Sequence, residues 1–350
     1  MAIRSIETKN GRRYFFDTYY EARGIRKRYR SKLYDKKADA KQAEKAFVQP
    51  RKRKVTFEEV IDSYVSAKDW KYSSERSSLK KIEHIKKYFG KDNIEELTPA
   101  DCQAFLSHLD KLKSNGKYYS ARYKNMVVMY LKSICKHANT YFGANIQAHE
   151  SLKRYKVEKH ERFVLDLESF DIFIKEVKND EYRALYVFLM YSGCRLGETL
   201  GLCWKDIDFE NRTFSISKAY SQLEKKDVSV KTASSIRKLP LTAKAYEVLM
   251  GNYTLQSQKR GFKDSWRAFG GRKALTQTSA TRIKNVACQK AGLPHFRVHD
   301  FRHSFISLLV ANGADISSIS HYVGHSTVTT TLNVYTHYYD NKLKDAINKL

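Results

Sequence analysis

The stretch from His299 to Tyr335, HDFRHSFISLLVANGADISSISHYVGHSTVTTTLNVY, decides how the rest of the chain is read. His299 and Arg302 have the spacing that puts two side chains on one face of a helix. That helix runs apolar through Phe305, Ile306, Leu308, Leu309 and Val310 and stops at Gly313, a residue suited to the left-handed turn after a helix. A second short helix is expected over Ile316 to Val323, ended by Gly324, with His325 in the turn. Ser326 can cap a third helix that carries Tyr335. A single His in such a place is more often a packing residue than a functional one. Two His, an Arg and a Tyr, punctuated by two helix-stopping glycines, are harder to explain as packing. Cationic donors beside a phenol point to phosphoryl transfer with Tyr as the nucleophile.

Working upstream, Tyr182 to Tyr191 reads as a strongly apolar, buried helix that ends at Ser192-Gly193-Cys194-Arg195-Leu196-Gly197-Glu198. An Arg just past the end of a buried helix is held rigidly, and Glu198 is close enough in sequence to orient it. A capping Arg paired with Glu198 is the plainer alternative. Leu167 to Val177 forms a further helix, and Asp206 to Lys218 reads as a strand. Asp227 to Lys231 and Ile236 to Leu241 complete a small sheet, with Lys231-Thr-Ala-Ser-Ser-Ile-Arg237 between them. Helices near Ala243 to Tyr253 and Ser279 to Ala291 lead back to the His299 stretch.

Taken together, His299-Asp-Phe-Arg302-His, Val-Gly-His325 and Tyr335 resemble the C-terminal signature of tyrosine recombinases of the phage-integrase family. Ser-Gly-Cys-Arg195-Leu-Gly-Glu resembles that family's first catalytic-Arg motif, and the Lys231 segment its hairpin Lys motif. Lys225 and Lys226 are rivals to Lys231, and Val323 stands where Leu is usual. The resemblance implies a DNA-cutting and rejoining enzyme with Arg195, Lys231, His299, Arg302, His325 and Tyr335 as its catalytic set and Glu198 as an orienting group. It implies no metal and no cofactor, because two arginines and His325 take the place of cations at the phosphate. No carboxylate cluster and no Cys pair with metal-ligand spacing argues otherwise. It also implies a homotetramer on DNA, coupled by a tail in which Leu343, Ile347 and Leu350 share a helical face.

Charge supports a polyanionic partner. The 350 residues carry 65 Lys+Arg against 38 Asp+Glu, a formal net charge of +27, which double-stranded DNA satisfies most readily. No apolar run reaches the length of a membrane span and no signal peptide is visible, so no membrane partner is expected. Five scattered cysteines read as reduced thiols, placing the chain with DNA in a bacterial cytoplasm.

The length allows several domains. Residues 1–50 read as a three-stranded sheet plus helix: Asn10-Gly11 and Gly24 make turns, and the strand from Ile25 carries Arg26, Lys27, Arg28 and Arg30. That cationic strand suits insertion into a DNA groove, while a charge-protected edge is the alternative. The layout resembles the arm-binding domain of some integrases. Pro50 to Lys54 is a basic linker. Residues 56–148 read as four helices, opened by the capping box Thr56-Phe-Glu-Glu59 and by Thr98-Pro99. Their interspersed cations, Lys80, Lys81, Arg122 and Lys124 among them, make a face that could clamp DNA at a core site. Residues 159–350 form the mainly α catalytic domain with a small β-sheet. The fold class is thus multidomain α+β. The expected function is that of an integrase of a prophage or other mobile element, served by DNA-bending and directionality factors. A chromosome or plasmid resolvase, a type IB topoisomerase and a non-catalytic DNA-binding regulator are the alternatives.

Overall fold

A computed structural model of the chain describes residues 2–8, 11–22, 25–47, 54–158, 163–229, 236–324 and 327–328. The chain divides into two compact units, Met1–Lys159 and His160–Leu350.

The first unit begins with an antiparallel sheet of β1 (Ala2–Thr8), β2 (Gly11–Ala22) and β3 (Ile25–Arg30), in the order β1-β2-β3. Alternation sorts its side chains. Phe16 and Tyr29 meet Phe47 just beyond α1 (Lys37–Ala46), with the Tyr29 and Phe47 rings stacked at 4.4 Å. The other face gathers Arg4, Arg28 and Arg30 around Asp17. Four longer helices follow: α2 (Phe57–Ser66), α3 (Tyr72–Phe89), α4 (Pro99–Lys111) and α5 (Ala121–Tyr141). Thr56 and Glu59 form the expected capping box at α2, and Thr98 and Asp101 form one at α4 with Pro99 inside the first turn. The apolar stripes of these helices share one core, with Phe57, Ile61, Ile85, Phe105, Leu131 and Ile134 buried in it. A short hairpin, β4 (Lys113–Ser114) with β5 (Lys117–Tyr118), joins α4 to α5 around Gly116 at φ 77°.

The second unit is mainly helical. α6 (Leu167–Lys175) and α7 (Asp180–Ser192) pack with α9 (Ala243–Ser257), α10 (Gln277–Lys290) and α11 (Asp300–Ala311) around Phe173, Tyr186, Leu189, Phe214, Phe296 and Phe301. α8 (Leu196–Gly201) is short, and α12 (Ile316–Val323) closes against α11 through Ile306, Val310, Ile319 and Val323. The β structure differs from the expectation of one strand over 206–218. Asp206 ends a 3-10 turn, and the chain then makes a hairpin of β6 (Ile207–Asp208) and β7 (Thr213–Ile216), turning through Arg212 at φ 49°. β10 (Arg237–Pro240) pairs with β7. β8 (Lys218–Ser221) and β9 (Lys226–Ser229) make a separate two-stranded ribbon. The 227–229 stretch therefore joins the ribbon rather than the sheet that holds Arg237. Gly201 fixes how closely α8 approaches this ribbon, since a Cβ there would stand 3.1 Å from the Tyr220 nitrogen.

Candidate active site

The site is built where α7 ends. Gly193 caps the helix in the left-handed region, φ 62° and ψ 14°, and a Cβ on it would collide with the ring of Phe305. Only glycine fits that turn and that approach together. Cys194 follows, buried, and Arg195 caps α8. The Arg195 N–H donates to Glu198 Oε2 at 3.0 Å, and its Nη1 donates to Glu198 Oε1 at 2.7 Å. Glu198 is itself buried, its side chain 3 % exposed. Burial alone would push its carboxyl up, but hydrogen bonding and charge from Arg237, with Arg195 behind it, hold it below the usual range.

Arg237 is a member of the site that sequence reasoning misses. It opens β10 and turns a fully covered guanidinium onto Glu198, with Nη2 donating to Oε2 at 2.9 Å and Nη1 to Oε1 at 3.4 Å. Its signal in the sequence is slight: one more Arg, at the end of the segment that carries Lys231.

Arg302 lies in the first turn of α11 and is 1 % exposed. Its Nη1 donates to the Gly193 carbonyl at 2.9 Å and its Nη2 to the Val323 carbonyl at 2.6 Å. Its Nε has no hydrogen-bond partner among the described residues. Burial, then the neighbouring charge of Arg195, press its pKa down to about 10, so it stays cationic at neutral pH. Arg195 Nη2 donates to the Gly324 carbonyl at 3.0 Å, and Arg237 Nε to the Tyr322 carbonyl at 2.9 Å. Three successive carbonyls at the end of α12 thus accept from three arginines. Helix C-termini leave such carbonyls unpaired and carry partial negative charge, which draws cations to them. Gly324 completes the end in the left-handed region, φ 69°, with Arg237 Nη1 3.1 Å from where a Cβ would stand.

His299 caps α11, its ring perpendicular to that of His303 at 5.0 Å. His299 is exposed, yet the protein packed around it takes away part of its hydration, and that desolvation, then the charge of Arg302, hold its pKa below the ordinary histidine value. Asp300, next in the chain, is spent on Arg297, accepting its N–H at 2.7 Å and its Nη2 at 3.1 Å.

The structure therefore brings Arg195, Glu198, His299 and Arg302 together at the ends of α7, α11 and α12. Lys231, His325 and Tyr335 lie outside the described residues. Of the rival lysines, Lys225 sits in the β8–β9 turn at φ 52° and Lys226 pairs with Glu224 at 3.3 Å.

The cations expected to meet DNA in the first unit fare unevenly. Lys80 on α3 and Arg122 on α5 are exposed. Lys81 is a correction: it is buried, its ammonium donating to the Ser77 carbonyl at 2.7 Å and hydroxyl at 2.8 Å, with the Tyr123 ring beneath. It faces into the helices because it belongs to the inner stripe with Ile82 and Ile85. Lys124 is largely covered and pairs with Asp110 at 2.7 Å. On β3, Arg28 and Arg30 stay half-exposed while bonding Asp17, at 2.5 and 3.3 Å. The backbone of Arg26 and Lys27 lies in β3, and their side chains are outside the described residues.

Residues 165–342 match the phage integrase family, and residues 56–109 match its N-terminal SAM-like domain. The ICEBs1 integrase of Bacillus subtilis (strain 168) is 27% identical over 322 residues, covering 86% of this chain and 84% of that one. Among solved structures, the Tn1549 transposon integrase in complex with transposon right end DNA superposes with a TM-score of 0.69 at 18% identity, over 85% of this chain and 99% of that chain. A lambda integrase tetramer bound to a Holliday junction gives a TM-score of 0.62 at 17% identity, over 93% and 96% of the two chains. A match running from α6 across every part of the site described here makes the chain a member of the phage integrase family, the tyrosine-type site-specific recombinases of mobile elements.

Proposed function

We propose that this chain integrates and excises a mobile element by cutting duplex DNA with Tyr335 and rejoining it, with the six residues read from the sequence in their expected roles. The observation that carries this reading is the pair of guanidiniums, Arg195 and Arg302, fixed on the carbonyls of Gly324 and Val323 directly before His325. A phosphodiester resists attack because negative charge grows on its phosphoryl oxygens. Two preoriented guanidiniums meet that charge with donors already in place, and the Nε of Arg302, which has no partner among the described residues, is one such donor. His325 adds a third. The Tyr335 oxygen then attacks phosphorus while the bond to the 5′-oxygen breaks. His299 takes the phenol proton, since free tyrosine ionises only near ~10, and Lys231 protonates the departing 5′-oxygen. The products are a 3′-phosphotyrosyl link and a 5′-hydroxyl, and an incoming 5′-hydroxyl reverses the step to reseal the strand without ATP.

The division of labour along the chain belongs to the same proposal. The sheet of 1–50 would hold arm-type sites through its cationic face, and the helices of 56–148 the core site. Four copies would assemble on DNA, as the lambda integrase does on a Holliday junction, joined by the tail with Leu343, Ile347 and Leu350. DNA-bending and directionality factors would choose between integration and excision.

The test is covalent capture. A nicked suicide duplex carrying the junction sequence that flanks the gene should yield a protein–DNA adduct with the wild type. Tyr335→Phe should yield none while binding the duplex as tightly, since only a hydroxyl is removed. An adduct that survives the substitution would remove Tyr335 from the reaction, with Tyr338 or Tyr339 next to be tried. Strand exchange between two duplexes then separates a recombinase from a topoisomerase.

A further inference from the structure

Arg237 stands where three parts of the site meet. Its strand, β10, begins just after the segment that carries Lys231. Its Nη2 holds Glu198 Oε2 at 2.9 Å, and the other oxygen of that carboxylate holds Arg195 at 2.7 Å. Its Nε holds the Tyr322 carbonyl at 2.9 Å, in the last turn of α12 before His325. Both side chains of the Arg237–Glu198 pair are 3 % exposed. A guanidinium is suited to this because its planar fork can serve two acceptors in fixed directions, which an ammonium cannot.

We infer that Arg237 is a positioning residue for phosphoryl transfer, setting the Arg195 guanidinium through Glu198 and the end of α12 through the Tyr322 carbonyl. The inference rests on the assignment of Arg195 to the scissile phosphate. Without Arg237, Glu198 keeps Arg195 as its partner among the described residues, and the lone pairs that Arg237 held are open to compete for the face of Arg195 that should meet DNA. The end of α12 loses one of its three anchors at the same time.

A residue that only neutralises buried Glu198 would also matter for folding, so the test must read the chemistry. Arg237→Lys and Arg237→Ala are compared with the wild type and Arg195→Ala for adduct formation on the suicide duplex. A second duplex has one non-bridging oxygen of the scissile phosphate replaced by methyl, which removes its charge. Binding is measured with an uncut duplex, and thermal unfolding reports folding. The Arg237 variants should form adduct ~10- to 100-fold more slowly on the normal duplex, the scale of a misplaced donor to a developing charge, with affinity changed less than about threefold. On the neutral linkage, which asks less of Arg195, the deficit should shrink to a few-fold, as it should for Arg195→Ala. Arg237→Lys keeps the charge beside Glu198 and decides the matter if Arg237→Ala does not fold. A folded Arg237→Lys that cleaves at the wild-type rate would overturn the inference. An equal deficit on both duplexes would also overturn it, leaving Arg237 a purely structural role. A wild type that forms no adduct would sink the tyrosine-transfer reading, and this inference with it.

Discussion

Arg302 donates to the carbonyl of Gly193 across 2.9 Å and 109 positions of sequence. The acceptor belongs to the one residue of the α7 end that must be glycine, so the turn that directs Arg195 also seats the second arginine. The two arginine motifs, far apart in the chain, are therefore one mechanical unit, and disturbing the turn disturbs both.

Gly193→Ala puts a methyl against the Phe305 ring and forces a left-handed backbone on alanine. Stability should fall by ~1–3 kcal/mol or more, read as a lower Tm, and adduct formation should fall with it. Gly251→Ala is the control. It lies inside α9, exposed, with nothing within 4 Å of its Cβ position, and should stabilise by ~0.5–1 kcal/mol.

Arg195→Ala and Arg302→Ala should each slow cleavage by ~10²-fold or more, the scale for one preorganised oxyanion donor. Arg302→Ala should also lower Tm, because it leaves the buried Gly193 and Val323 carbonyls without their donor. Cleavage by the wild type should persist in EDTA; activity abolished by chelation and restored by magnesium would contradict the metal-free reaction.

His299 carries a depressed pKa, from partial desolvation first and the charge of Arg302 second. Cleavage that needs it neutral should hold steady as pH falls through 6.5, where an ordinary histidine protonates, and decline only below. Stability follows the same sign. Below the unfolded pKa the unfolded chain binds more protons at this site than the folded one, so folding weakens as pH drops. His299→Gln should remove the acid limb of the cleavage profile together with most of the rate. A limb at or above 6.5, or one that survives the substitution, would assign it elsewhere.

Removing residues 1–50 deletes β1 to β3 and α1 and leaves the helices from α2 onward. For every phosphate that the shortened protein no longer neutralises, the salt slope of log affinity should become shallower by ~0.9. Binding to a long attachment region should weaken and become less salt-dependent, while cleavage of a short core-site duplex stays nearly unchanged. A folded truncation that cannot cleave the short duplex would end the arm-site assignment.

Local signals carry much of this structure. The capping box at Thr56, the helix start at Thr98-Pro99, the stop at Gly193 and the short helix before Gly324 are legible in the sequence because each is decided within a turn of chain. The features that are not legible need a distant partner. One expected strand over 206–218 is a hairpin because Asn211 and Arg212 make a turn that β10 then fixes by pairing with β7. Lys81 reads as a surface cation, yet the inner stripe of α3 carries it inward onto Ser77. Arg237 gives no local sign of its importance, which lies in Glu198 and Tyr322, residues that only the fold brings to it.

The end of α12 gathers three fixed positive charges, Arg195, Arg237 and Arg302, and Glu198 pairs with two of them. The helix carbonyls soften the mutual repulsion without cancelling it, since a carbonyl carries no net charge. Off DNA, these three guanidiniums and one carboxylate leave an excess of positive charge at the end of α12. On the function proposed above, a phosphate bound there would supply the missing counter-charge, so the chain should unfold at a higher temperature with its DNA than without it.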